Sequence, residues 1–198
     1  MKKTSLSLNS EDQIFKSLDF SETSLAEHYF SDCTFEHCNF TESSWKNALF
    51  CSCIFKDCNI SLVKLSGCRL QDVSFVECKI IGIDFFKCDT TFLFSITVLK
   101  KSFLQYCNFS NLEMKKTSFN GSKIHSSRFI NNTLVEANFT DTDLQGTIFH
   151  NCNLSKSNFC RALNYTIDPR INNIKKAKFS FPECIGLLKT LDITIIYP

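Results

Sequence analysis

From Phe15 onward, every fifth residue of this 198-residue chain is large and apolar, and that period constrains the fold more than any other feature of the sequence. The series runs Phe15, Phe20, Leu25, Phe30, Phe35, Phe40, Trp45, Phe50, Phe55, Ile60, Leu65, Leu70, Phe75, Ile80 and Phe85. It resumes as Phe94, Leu99, Leu104, Phe109, Met114, Phe119, Ile124, Phe129, Leu134, Phe139, Leu144, Phe149, Leu154 and Phe159. Neither the 3.6-residue period of a helix nor the plain alternation of a long strand gives this register. Two positions before the large residue the chain places something small, as at Cys33, Cys38, Ala48, Cys53, Cys58, Val63, Cys68, Cys78, Cys107, Ala137 and Cys152. Small and large residues flanking one polar residue read as a very short strand with both ends facing inward. The other two residues of each five are mostly polar and turn a corner.

Five residues per side and four sides per coil give a repeat of about 20 residues, stacked by parallel pairing at about 4.8 Å. The expected fold is all-β, a right-handed quadrilateral parallel β-helix of about eight coils and about 40 Å in length, with a short C-terminal capping helix. Residues 1–14 form a polar lead-in, 15–179 the solenoid, and 180–198 the cap and tail. Between Phe85 and Phe94 one residue is skipped, so a one-residue register break with no inserted loop is expected near 89–94. With that skip, one inward column reads Phe15, Phe35, Phe55, Phe75, Phe94, Met114, Leu134 and Leu154. The next reads Phe20, Phe40, Ile60, Ile80, Leu99, Phe119, Phe139, Phe159 and Phe179. Phe35, Phe55, Phe75, Phe119, Phe139 and Phe159 form the structural core with Cys38, Cys58 and Cys78, which stack 20 residues apart. Gly82 to Phe94 is the irregular stretch, with Phe92 in a slot otherwise given to small residues. It reads as a bulge or distorted corner, or as an exposed partner contact.

Met1-Lys2-Lys3 is basic, but Thr4 to Asp12 holds only Leu6 and Leu8 as apolar residues, so neither a signal peptide nor a membrane span is expected. A reducing cytoplasm then requires another reason for 12 cysteines, and nine of them fall in the small inward slot, where a thiol packs as a compact hydrophobe. Cys51 and Cys53 are the one close pair and lack a companion pair at zinc-finger spacing. His28, His37, His125 and His150 are scattered, and no phosphate-cradling glycine loop is present. A filled interior leaves no substrate cleft, so no enzyme, metal or cofactor is expected.

Cys38-Asn39-Phe40-Thr41, Cys107-Asn108-Phe109-Ser110, Ala137-Asn138-Phe139-Thr140 and Cys152-Asn153-Leu154-Ser155 resemble the pentapeptide-repeat family, whose units run Ala-(Asp/Asn)-Leu with Cys often replacing Ala and Phe replacing Leu. The resemblance covers about residues 15–162. Gly82-Ile83-Asp84-Phe85-Phe86-Lys87-Cys88 and an apolar C-terminal end are similar to the quinolone-resistance group of that family. That resemblance implies a homodimer joined through its C-termini, mimicking duplex DNA and binding DNA gyrase or topoisomerase IV, without binding nucleic acid itself.

Charge bears on mimicry, since a DNA-like rod must offer dense negative charge to a basic groove. The net charge is +2, but residues 11–95 hold 13 acidic and 7 basic residues while 96–198 hold 7 acidic and 13 basic. Glu22, Glu27, Asp32, Glu36 and Glu42 are the densest acidic group and the candidate partner-binding residues. At the other end Ser180-Phe181-Pro182-Glu183 reads as a capping box. Phe181, Ile185, Leu188 and Leu191 then form a helical apolar stripe and a candidate dimer contact, followed by a β-rich tail at Ile193 to Ile196. Two functions stay open: a protein-binding scaffold acting through its outer surface, and a DNA-mimicking protector or inhibitor of gyrase or topoisomerase IV.

Overall fold

An inward pair separated by one outward residue makes a strand of three residues, too short to hold a sheet except by stacking. The computed structural model, which describes residues 7–91, 93–188, 190, 191, 193, 194 and 196, is such a stack of about eight turns. Tyr29–Ser31 pairs in parallel with Leu49–Cys51, and Thr34–Glu36 with Ile54–Lys56, each 20 residues on. The four sides are numbered here by their inward columns: face 1 begins at Phe15, face 2 at Phe20, face 3 at Leu25 and face 4 at Phe30. Pairing starts within the polar lead-in, where Asn9–Glu11 lies beside Tyr29–Ser31.

Lys87 turns its corner in a 3-10 segment, but nearly every other corner is turned by a residue in the left-handed region, such as Glu22 (φ 55°), Glu42 (φ 60°) and Lys156 (φ 60°). That conformation aims the backbone N–H along the rod, so Glu22 N donates to Thr41 O at 2.9 Å and Glu42 N to Ser61 O at 2.9 Å. The corners therefore continue the bonding of the faces, and backbone polar groups are satisfied all round the coil.

The core is a set of aromatic stacks. Phe15, Phe35, Phe55 and Phe75 follow one another at 4.9, 4.8 and 5.0 Å between ring centroids, and Phe119, Phe139, Phe159 and Phe179 at 4.6, 4.7 and 5.2 Å. These two runs belong to one column. Phe75 pairs with Leu99, Ile80 with Leu104, and Asp84 bridges Asn108, each 24 residues on. The break is therefore a four-residue insertion at 90–93, not a one-residue skip, and every column continues on its own face. Face 1 reads Phe15, Phe35, Phe55, Phe75, Leu99, Phe119, Phe139, Phe159 and Phe179, whereas Phe94, Met114, Leu134 and Leu154 belong to face 4. Losing one residue and gaining four shift a five-residue period alike, so spacing cannot separate them.

The insertion leaves the coil at Asp89, whose carboxylate accepts bonds from the Thr91 N–H and hydroxyl at 2.9 and 2.6 Å. Leu93 is exposed before Phe94 returns to the core, and a β-bulge follows between Ile96 and Val98. Phe92, expected in a small slot, lies outside the described residues.

The C-terminal cap is a 3-10 segment, Glu183–Leu187, rather than the regular helix expected there. In a capping box the serine oxygen accepts a bond from the first helical turn. Here Ser180 Oγ instead accepts the Arg161 N–H at 2.8 Å and donates to Glu183 at 3.2 Å. Gly186 lies against Tyr165, and Leu187 packs on the core. Ile193, Thr194 and Ile196 form no strand, and Ile195 of the expected β-rich tail lies outside the described residues.

Candidate interaction surface

The interior has no room for a ligand because the small slots are filled, and most of their polar side chains are bonded. Cys58 Sγ donates to Phe35 O and Cys78 Sγ to Phe55 O, each at 3.3 Å, while Ser122 Oγ donates to Leu99 O at 2.6 Å. Phe35, Phe55, Phe75, Phe119, Phe139, Phe159, Cys38, Cys58 and Cys78 are all buried. Burial pushes the Cys53 and Cys107 thiols up to about 12, which keeps them protonated and poor nucleophiles or metal ligands at neutral pH. Among the described residues no three His, Cys, Asp or Glu side chains converge as a metal site, and no helix is long and apolar enough to cross a membrane. Chemical variety is confined to the outward positions, which rise along each face and corner in columns.

The five acidic residues do not form one patch. Corner residues five apart lie on successive corners, so Glu22 and Glu42 share the edge between faces 2 and 3, Glu27 the edge between faces 3 and 4, and Asp32 the edge between faces 4 and 1. Glu36 lies on face 1 and pairs with Lys16 at 2.9 Å; the Lys16 bond holds its carboxyl below the usual carboxylate range. The group rings the first coils instead of running along them.

Two other features concentrate chemistry on the surface. A groove of about 740 Å³ opens beside the edge between faces 2 and 3, lined by Glu42, Leu62, Lys64, Gly82, Asp84 and Lys87. It is open because Gly82 follows Leu62 in the corner column; a Cβ on Gly82 would come within 2.7 Å of the Leu62 side chain. Leu62, 49% exposed in a column of mostly polar corners, was the sequence signal that periodicity alone passed over. On face 2, His125 Nε2 lies 2.9 Å from Asp143 Oδ2, Asn164 donates to Asp143 Oδ1 at 2.8 Å, and Phe103 meets the His125 ring edge-on. Partial burial opposes the Asp143 charge, but the Asn164 and His125 bonds outweigh it and hold the carboxyl below its ordinary value.

At the C-terminal end Phe181 is 82% exposed and Leu188 is exposed, while Ile185 and Leu191 are half-buried. Their spacing suited an α-helical stripe. The 3-10 segment and the turn after it do not align them that way.

Residues 28–102 match a family model described as pentapeptide repeat region, and residues 124–162 match one described as pentapeptide repeats (8 copies); together they span more than half of the chain. No curated protein matches by sequence. Among solved structures, two trypsin-treated forms of QnrB1, a plasmid-mediated fluoroquinolone resistance protein, align with TM-scores of 0.73 and 0.62 at 18% and 20% identity, covering 100% of this chain and 94% and 96% of theirs. HetL, a pentapeptide repeat protein involved in heterocyst differentiation regulation from the cyanobacterium Nostoc, aligns with a TM-score of 0.57 at 14% identity, covering 86% of this chain and 84% of that one. These identities speak for the fold alone.

Proposed function

Because the chain belongs to the pentapeptide-repeat family, we propose that it is a non-enzymatic scaffold that binds another protein through its outer faces. The observation that carries this reading is the filled interior. The inward slots are occupied and most of their polar side chains bonded, so recognition is left to the outward columns and the groove beside Leu62. The twelve free thiols, nine of them buried, suit a reducing cytoplasm.

A topoisomerase partner is the second reading, favoured by the acidic excess of residues 11–95. The dispersal of Glu22, Glu27 and Asp32 over three edges weighs against it, because a basic DNA groove meets one side of a rod at a time. A gyrase supercoiling assay with and without ciprofloxacin separates the two. On the scaffold reading, supercoiling and its inhibition by the drug stay unchanged in the presence of the protein. Relief of inhibition that weakens with salt, and is lost when Glu22, Glu27, Asp32 and Glu36 are reversed to Lys, would replace the scaffold with a DNA mimic.

A further inference from the structure

The edge between faces 4 and 1 differs from the other three in how its charges are arranged. Its corner residues are Asp12, Asp32, Ser52 and Asp72 before the insertion, and Lys116, Glu136, Lys156 and Lys176 after it. All are left-handed, and within each half the corner N–H bonds to the next coil, as in Asp12 N to Ser31 O and Lys156 N to Lys175 O, so the members of each half stand above one another. Between the two halves lies the bulged coil at Ile96 to Val98. Asp12, Asp32, Asp72, Lys116, Glu136, Lys156 and Lys176 are exposed, and Ser52 is half-buried.

Reversing this column end for end about the bulged coil sets every charged end against its opposite. Asp12 meets Lys176, Asp32 meets Lys156, Asp72 meets Lys116, and the interruption Ser52 meets the interruption Glu136. The flanking outward column of face 4 behaves alike, with exposed Glu11 against exposed Lys175 at its ends. The edge between faces 1 and 2 fails the same operation: Asp57 would face Asp141, and Lys101 would face itself. That edge settles its charges within the chain, through His37 to Asp57 at 2.8 Å, Lys101 to Glu77 at 3.7 Å and Arg161 to Asp141 at 2.6 Å. The remaining two edges hold Glu22 and Glu42, or Glu27, with uncharged residues at their far ends. Among the described residues no intrachain ion pair engages Asp12, Asp32, Asp72, Lys175 or Lys176, while Glu136 is shared between Lys116 at 4.0 Å and Lys156 at 3.1 Å, which leaves the far half of the column with a surplus of positive charge.

We propose that the edge between faces 4 and 1 is a self-association surface on which a second copy of this chain lies antiparallel, related by a two-fold axis perpendicular to the rod at the bulged coil. Asp12 then lies opposite the partner's Lys176, Asp32 opposite the partner's Lys156, and Asp72 opposite the partner's Lys116. A two-fold operation makes each of these contacts twice, as an isologous interface requires. Exposed pairs are individually weak, so the association is set by the summed pattern, is sensitive to salt, and is specific in orientation, because a parallel arrangement would put like charges together.

The test is sedimentation equilibrium of the full chain at about 10 mM and about 1 M salt, where the screening length falls from about 30 Å to about 3 Å. The wild type is expected to dimerise at low salt and to dissociate at high salt. Glu11→Lys with Asp12→Lys makes one variant, and Lys175→Glu with Lys176→Glu a second; each is expected to weaken self-association at least about tenfold, the equivalent of about 1.4 kcal/mol. Mixed in equal amounts, the two variants are expected to restore the dimer, since each now supplies the charge that the other has lost. Circular dichroism checks that both variants fold. A wild type that stays monomeric at low salt overturns the proposal. So does a dimer indifferent to salt and to both double substitutions, which is the behaviour of an apolar contact at the C-terminal ends. So does a mixture that stays monomeric.

Discussion

Before the insertion the small inward slot most often holds thiols, at Cys33, Cys38, Cys53, Cys58, Cys68, Cys78 and Cys88, beside Ser43, Ala48, Val63 and Val73; after it the slot holds mostly hydroxyls and amides, at Ser102, Thr117, Ser122, Ser127, Thr142, Thr147 and Asn172. Members of both sets reach the same target, the carbonyl of an inward residue one coil back, although Ser102 and Ser127 donate instead to Lys100 O and His125 O. Cys58 Sγ donates to Phe35 O at 3.3 Å, Thr147 Oγ1 to Ile124 O at 2.6 Å and Asn172 Nδ2 to Phe149 O at 3.0 Å. The slots also accept, loosely at sulfur, where Cys38 N donates to Cys58 Sγ at 3.4 Å, and more closely at oxygen, where Cys78 N donates to Ser102 Oγ at 3.0 Å, Ser102 N to Ser122 Oγ at 3.0 Å and Cys152 N to Asn172 Oδ1 at 2.9 Å. The slot thus selects for small size, which Ala48, Val63, Val73 and Ala137 meet without a donor, and a thiol, hydroxyl or amide adds a bond. The first half relies more on packing, since a thiol is a weak donor, and the second more on bonds that become costly when broken.

The largest effect that would break this comparison is Cys58→Glu. A carboxylate there has no cationic partner and stays far from water, at a cost of several kcal/mol, so the variant is expected to lose its cooperative thermal transition. Cys58→Ala keeps the size of the slot and should cost about 1 kcal/mol. Equal melting of the two would mean that position 58 faces outward. Ser122→Ala comes next. It removes the partner of Leu99 O at 2.6 Å and of Ser102 N at 3.0 Å, whereas Cys58→Ala gives up only the longer sulfur bonds to Phe35 O and Cys38 N, so urea unfolding should show a loss of about 1–3 kcal/mol, larger than that of Cys58→Ala. The reverse order would show that the two halves rely on the slot in the same way.

The smallest expected effect concerns pH and sits outside the slot. The Asp143 carboxyl titrates lower in the folded chain than in the unfolded one. Its stabilisation is therefore present above about pH 4 and is lost as pH falls through the folded value. Asp143→Asn should cost about 1 kcal/mol at pH 7 and flatten the acid limb of stability, measured as melting temperature between about pH 5 and about pH 2. A wild-type acid limb unchanged by the substitution would mean that the His125 and Asn164 contacts add nothing.

The period of five made the fold legible, because one inward residue in five with a small companion is satisfied by a square coil and by little else. Its limit is arithmetic: Phe85 to Phe94 looks the same whether one residue is missing or four are extra, and only the pairing of Phe75 with Leu99 decides. The thiols drew attention to half of the small slots, while Ser102, Ser122 and Thr147 looked like ordinary surface residues although they are buried. At the cap, Ser180 to Glu183 carried a helix signal that a tertiary bond from Arg161 overrode. The acidic residues were legible as a group along the chain but not as positions around it, since neighbours five apart in sequence stand a quarter turn apart in space.

Among the described residues, twenty-six non-glycine residues hold the left-handed conformation at the corners, against four glycines. For an L-residue with a Cβ that conformation costs about 1–2 kcal/mol. Glycine would relieve the backbone at every one of these sites, yet the chain keeps Asp, Glu, Lys, Asn, Ser or a larger residue there. The corners therefore act as a written margin: strain is tolerated so that each coil can display a legible letter on each of its edges. A change of letter leaves the aromatic stacks alone, so the outer surface can be rewritten without putting the fold at risk.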